Sequence, residues 1–288
     1  MYYLIKTTPY LKIVKAAPIE KARYQAAPEE IEQHYAMLKQ TLEQHNIPPG
    51  FVFNVDESGF QEWADKKRKA IIVPSEIPDE EILIPVDRQS RRYTLEACIS
   101  LDGSYLKPLI ITSRKTINKD LIAWGFTADK VSIEYSPSGF TDTFLFNQWA
   151  ETIFFPELSR KREQHKYDGP AILLIDGCTC HFSDEFLDFC SYQGVWPFIE
   201  PAASSDQVQA LDLGIFGIQK AIKSSIRANL DITPQTDDIR RIYNSLQRAA
   251  TPDNVVSAFR QAGIYIDQVN GEMDARADIA YARAVRGG

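Results

Sequence analysis

Residues Ala171-Ile-Leu-Leu-Ile175, followed by Asp176-Gly-Cys-Thr-Cys-His181, decide the fold. The first five form a short, continuous apolar run, as expected of a strand buried on both faces of a sheet. A helix is predicted near 183–193 and a second strand at 195–199. This strand–helix–strand passage makes the two strands a parallel pair. Upstream, Phe51-Val-Phe-Asn-Val55 is another buried-strand run, and Asp56-Glu-Ser-Gly59 reads as the turn that stops it. Further strands are predicted at 69–73, 93–101 and 105–112, the last two joined by the turn Asp102-Gly103.

Helices fit around these strands. Ile31, Tyr35, Leu38 and Leu42 recur at helical spacing after Pro28, so a helix is predicted over 28–46. Others are predicted near 142–155, 207–229, 237–249 and 252–262, with 161–168 as a polar loop. The pattern predicts an α/β chain: a mixed sheet with helices on both faces.

Composition narrows the class. Of the 288 residues, 44% are hydrophobic and 25% charged, which excludes collagen-like, low-complexity and wholly disordered chains. No apolar run reaches the ~18–20 residues that span a bilayer, so no membrane partner is expected. Met1–Lys6 does not read as a signal peptide. Four cysteines, Cys98, Cys178, Cys180 and Cys190, show no disulfide spacing and suggest a reducing compartment.

The net charge of −7 disfavours a non-specific nucleic-acid coat, but the basic residues are clustered. Residues 1–27 carry five cations against one acid, and 213–249 carry six against three. Lys66, Lys67 and Arg68 lie between. With Lys220, Lys223 and Arg227 they are candidate nucleic-acid contacts; a solvated surface is the plain alternative.

Three aspartates stand out. Asp56 and Asp176 each end an apolar strand, and Asp212 lies in Gln209-Ala-Leu-Asp-Leu-Gly-Ile-Phe216 near the start of a predicted helix. An acid at the carboxyl end of a buried strand projects into the crevice where α/β sheets bind ligands. Several acids sharing one crevice need protons or cations. Carboxylate oxygens suit Mg²⁺ or Mn²⁺, and two such ions can clamp the attacking and leaving oxygens of a phosphodiester. Capping a turn is the plainer role for a strand-end aspartate.

Three segments carry a resemblance: Asn54-Val-Asp-Glu-Ser-Gly-Phe60, Leu173-Leu-Ile-Asp-Gly-Cys-Thr-Cys-His181 and Gln209–Phe216. They resemble the three acidic blocks of pogo/Tigger-type DDE superfamily endonucleases, in the same order. That group takes in mariner-superfamily transposases and their host derivatives, such as jerky-like proteins and centromere protein B. Thirty-five residues separate Asp176 from Asp212, as in a pogo-like DDD arrangement. The stretch from Arg92 to Ile110 resembles the family's central strands and Ser257–Ile264 its closing helix, so the resemblance covers about residues 18–265.

The resemblance implies a ribonuclease-H-like fold with a mixed five-stranded sheet and helical extensions at both ends. The catalytic domain would span 28–265 with its leading helix at 28–46. A basic tail at 1–27 would be the remnant of a DNA-binding region, and 266–288 a polar tail. Asp56, Asp176 and Asp212 would be the catalytic, metal-holding residues, with Glu57 and His181 as auxiliaries. Two Mg²⁺ or Mn²⁺ ions, a DNA substrate, a homodimer pairing two DNA ends and a nuclear location would follow, with no small-molecule cofactor.

The sequence departs from the family pattern beside these acids. Asp-Gly-His-x-Ser-His is usual in the second block, and Cys178 and Cys180 replace its first His and its Ser. Before the third acid, Ala202 replaces a proline, and Ala203 and Asp206 stand where the family has histidines. Two further readings therefore remain open. One is a catalytically inactive, transposase-derived DNA-binding or chromatin-associated protein; the other is a nuclease acting on RNA or hybrids.

Single features have rival readings. Cys178, Cys180 and His181 are soft-metal ligand types, but zinc takes four ligands, usually as two separated pairs. Cys190 would be the fourth, from the far end of a predicted helix. His34 and His45 read as surface residues, and Trp63, Trp124, Trp149 and Trp196 as core aromatics.

Overall fold

The structure, a computed structural model, describes residues 28–62, 91–114, 121, 125–202, 204–229, 231–267 and 271–280. Its core is one mixed sheet of six strands, β1 (Val52–Glu62), β2 (Arg91–Ser100), β3 (Leu109–Thr112), β4 (Ser132–Tyr135), β5 (Ala171–Ile175) and β6 (Val195–Ile199). The spatial order is β4-β3-β2-β1-β5-β6. The central strands β1–β2–β3 are antiparallel neighbours, while β1–β5, β5–β6 and β3–β4 are parallel. Five of these are the expected ribonuclease-H-like sheet. The sixth, β4, is a short half-buried edge strand whose alternating sequence gives little apolar signal.

The strands at 171–175 and 195–199 fall where their apolar runs predict, and β5 is buried throughout. The turn expected at Asp56–Gly59 does not form. β1 continues to Glu62, held by an antiparallel ladder that pairs Glu57 with Glu96 and Glu62 with Arg91. The strand expected at 105–112 is ordered as a ladder only from Leu109, with Tyr105 making a lone bridge to Ile99. The strand expected at 69–73 lies outside the described residues, as do Trp63, Trp124 and the basic tail at 1–27.

Helix α1 (Pro28–His45) buries Ile31, Tyr35, Leu38 and Leu42, the predicted stripe. Tyr35 donates its hydroxyl to the Ala262 carbonyl, and Lys39 meets Asp274 at 2.8 Å. The first ties α1 to the chain just before β7 (Ile264–Ile266), and the second to β8 (Met273–Ala275) of the C-terminal hairpin. The stretch expected as a polar tail from 266 thus contributes a strand and buries Ala275 and Ala280. His34 is half-buried, edge-on to Phe198, and burial holds its pKa down near 4; it is no surface residue, whereas His45 is exposed. Trp149 is core, and Trp196 is half-buried against His45.

Helix α2 (Thr143–Trp149) is capped by Asp142, which accepts from Leu145 N–H at 2.9 Å. It runs through a π-turn (Ala150–Phe154) into α3 (Phe155–His165). The polar loop expected from 161 to 168 is therefore half helix. Its buried side is Phe155, Leu158 and Lys161 at i, i+3 and i+6, a stripe hidden by its one charged member. Lys161 is 4% exposed. Its Nζ lies 2.8 Å from Asp102 Oδ2, 2.8 Å from Ser104 Oγ and 3.2 Å from the Gly50 carbonyl, above the Phe53 ring. Lys161→Ala strands Asp102 and opens a cavity, so it should lower stability by about 2–3 kcal/mol. Chemical denaturation measures this; a loss under about 0.5 kcal/mol would contradict the pinning role.

Helix α4 (Asp184–Tyr192) returns the chain from β5 to β6. The single helix expected over 207–229 is broken. A short α5 (Ser205–Val208) stops at Gln209, which is extended, and a π-helical segment (Leu211–Phe216) leads into α6 (Gly217–Ser225). Helices α7 (Pro234–Ala249) and α8 (Pro252–Gln261) start on Thr233 and Thr251 caps. Gly214 packs directly on Ala258 of α8, where a Cβ would collide with the Ala258 side chain.

Candidate active site

Register alone brings three acids to one level. Asn54 of β1 pairs with Leu174 of β5, and Leu174 pairs with Phe198 of β6. Two residues further along each strand stand Asp56, Asp176 and Glu200. Residues two apart share a face, so this row crosses three parallel strands: Asp176 and Glu200 stand just past the ends of β5 and β6, and Asp56 lies inside β1 just past its pairing with β5.

Asp212 is delivered by the break at Gln209. Asn54, fully buried, accepts from Leu211 N–H at 3.0 Å. Its amide donates to the Leu174 carbonyl and to Glu200 Oε1, both at 3.3 Å, and to Gln209 Oε1. One side chain therefore fixes β1, β5, the end of β6 and the residue just before Asp212.

Charges show that the acids converge. Burial, then the charges of Asp212, Glu57 and Glu200, push the Asp56 carboxyl well above the usual range. Burial, then Asp176 and Asp212, do the same to Glu200. Glu200 is 4% exposed, and its Oε2 has no hydrogen-bond partner. The sequence carried the signal for Glu200, since a buried-type strand ends in an acid there as at Asp56 and Asp176.

A second layer lies beside this row. His181, buried and packed on Phe146, is held by Glu57 Oε1 at 2.9 Å from Nε2 and Asp176 Oδ1 at 2.8 Å from Nδ1. The Asp176 contact is an ion pair off the ring's hydrogen-bond direction. Burial would lower the His181 pKa, but the Asp176 and Glu57 carboxylates held against the ring push it up to about 10. Burial would raise Asp176, yet His181 and the Cys178 N–H hold it below the ordinary range. Across the ladder, Glu96 is fully buried, and desolvation followed by the Glu57 charge pushes it well up.

These shifts set a pH dependence. His181 gives its full stabilisation below its ordinary 6.5 and loses it as pH climbs towards about 10. Asp176 gives its share above its ordinary 3.8 and loses it as pH falls through its lowered value. Asp56, Glu96 and Glu200, all raised, cost stability once pH exceeds their ordinary 3.8 to 4.5. In chelator the protein should melt higher at about pH 5.5 than at about pH 8.5, by several degrees. Equal melting temperatures would contradict the charge arrangement.

The remaining predicted residues are placed as follows. Lys66, Lys67 and Arg68 lie outside the described residues, as does Ala203. Lys220 and Arg227 are exposed at α6 and just beyond it. Lys223 is 8% exposed with its Nζ over the Phe60 ring, so it packs inside and does not stand on the surface as a phosphate contact would. Asp206 is exposed on α5.

Fold and carboxylate row together define a ribonuclease-H-like domain with a row of acids across its sheet. A family model described as DDE superfamily endonuclease matches residues 90–248, more than half of the chain, and the chain belongs to that family. A solved structure of the Mos1 mariner paired end complex with Mn is similar, with a TM-score of 0.56 at 12% identity. That match covers 91% of this chain and 66% of the other. The Mos1 strand transfer complex gives a TM-score of 0.53 at 12% identity over 91% of this chain and 65% of the other. A curated protein of Cochliobolus lunatus, named MFS-type transporter clz9, is 24% identical over 227 residues, 74% of this chain. The chain spans only 23% of that protein's length. Among the described residues, no helix is long and apolar enough to cross a membrane.

Proposed function

We propose that the chain is the catalytic domain of a pogo/Tigger-like transposase or endonuclease that cuts and joins DNA phosphodiesters. The observation that carries this is the row Asp56, Asp176 and Glu200 across three parallel strands, with Asp212 close enough for its charge to act on the row. The row has the donor chemistry of a site for hard divalent cations. No three of its carboxylates place oxygens within 4.8 Å of one another, so the side chains would have to close on the ions. Its donors are carboxylate oxygens, two of its members are destabilised by their neighbours' charge, and one buried oxygen lacks a partner. Asp56, Asp176 and Asp212 would hold the ions, with Glu200 as a fourth carboxylate within reach. Bound there, two Mg²⁺ or Mn²⁺ ions would neutralise phosphate charge and assist the attacking and leaving oxygens.

The chain's own residues do the rest. Asn54 holds the Asp212 turn against β1. His181, pinned by Glu57, keeps Asp176 ionised and oriented. Lys220 and Arg227 offer exposed positive charge for a phosphate backbone. DNA as partner, pairing of two ends by two copies, and a nuclear location belong to the same reading. It draws support from the family match and from the likeness to the Mos1 paired end and strand transfer complexes.

The test is cleavage of matched DNA, RNA and hybrid duplexes with Mg²⁺, with Mn²⁺ and with chelator. Metal-dependent nicking of DNA over the other two supports the reading. Preference for RNA or hybrid overturns the DNA substrate. Folded protein inactive on all three is the inactive, transposase-derived protein that the Cys178, Cys180 and Asp206 replacements allow.

A further inference from the structure

The carboxylate row leaves one cluster unused. Cys178, Cys180 and His181 place one ligand atom each within 4.8 Å of one another. The two sulfurs face each other at 2.7 Å, and both thiols are free. Cys178 is exposed, Cys180 half-buried and His181 buried, so the group opens to solvent on its sulfur side. Asp176 Oδ1 lies 2.8 Å from His181 Nδ1 but is not one of the group. Cys190, the remaining nearby cysteine, is buried on α4 and outside the group.

We propose that Cys178, Cys180 and His181 form a site for a soft or borderline divalent cation of the zinc class, completed by water. Two arguments favour a cation over a reactive thiol pair. Glu57 and Asp176 both lie against His181, so the surroundings are anionic and attract a dication. Thiolate and imidazole are the donors this class of metal prefers, whereas Mg²⁺ and Ca²⁺ take oxygen. Tetrahedral geometry with Zn–S near 2.3 Å spaces two sulfurs by about 3.8 Å, so binding opens the pair by about 1 Å, a small side-chain rotation. The 3₁₀ turn Thr179–His181 presents all three ligands from one short loop. The assignment rests on the two sulfurs and meets the carboxylate row at His181, which must shed a proton and one carboxylate partner to take a metal.

The test is titration of the full chain with Co²⁺ in a phosphine reductant, reading the sulfur-to-cobalt charge-transfer band. The band is expected in the wild type and in Asp56→Asn/Asp212→Asn, and is expected to vanish in Cys178→Ser/Cys180→Ser. No band in folded wild type, or a band that survives the double serine change, overturns the site. Should the double serine variant fail to fold, alkylation of wild-type Cys178 decides. Zn²⁺ at about 100 times its Kd should slow alkylation about 100-fold, and Mg²⁺ should not. Equal rates with and without Zn²⁺ overturn the proposal.

Discussion

Asp176→Asn is expected to lower metal-dependent nicking of DNA by about 10³-fold, a loss of about 4 kcal/mol in transition-state stabilisation. The substitution acts twice. It removes a negative oxygen donor from the centre of the row, and it removes the partner that meets His181 Nδ1 at 2.8 Å. Glu57→Gln isolates the second effect, because it weakens the hold on His181 while Asp176 stays in place. Its cost should be about 10–100-fold, the usual loss for a group that orients a ligand. Nicking rates at saturating Mn²⁺ measure both. An Asp176→Asn protein within tenfold of wild type would contradict the assignment, as would Glu57→Gln being the more damaging of the two.

Asn54→Ala is the largest expected loss of stability. It leaves the Leu211 N–H, the Gln209 side-chain Oε1 and Glu200 Oε1 without their buried partner. Each orphaned group costs about 1–3 kcal/mol, less what water recovers in the space left behind. A total near 3–5 kcal/mol would lower Tm by roughly 10 °C in a domain of this size. The break at Gln209 should relax as well, so Asp212 loses its position and Mn²⁺ affinity falls with stability. Thermal melts and metal titration on the same sample test this. A variant that melts within about 2 °C of wild type would show that the Asn54 network does not hold the site.

What the sequence revealed and what it hid follow from where each signal lives. The strands at Ala171–Ile175 and Val195–Ile199 are written locally, because burial on both faces demands an unbroken apolar run. The extension of β1 past Asp56 is not local. Those residues are polar and turn-prone, and they stay extended because β2, some forty residues on in the chain, ladders with them to Glu62. Likewise the break at Gln209 comes from Asn54, on a strand far away in sequence. Asp56, Asp176 and Asp212 were legible as strand-end and helix-start acids. Glu200 was not singled out, although the same rule applied to it. The burial of Lys161 and Lys223 was invisible because a charged residue in a stripe reads as surface until its partner, Asp102 or the Phe60 ring, is in place.

The most direct measurement is Mn²⁺ binding by calorimetry, on the wild type and on the Asp56→Asn/Asp176→Asn/Asp212→Asn variant, both shown to be folded. The account predicts binding to the wild type that the variant loses. A folded wild type that binds no Mn²⁺ at millimolar concentration, or a variant that binds as well as the wild type, would contradict it.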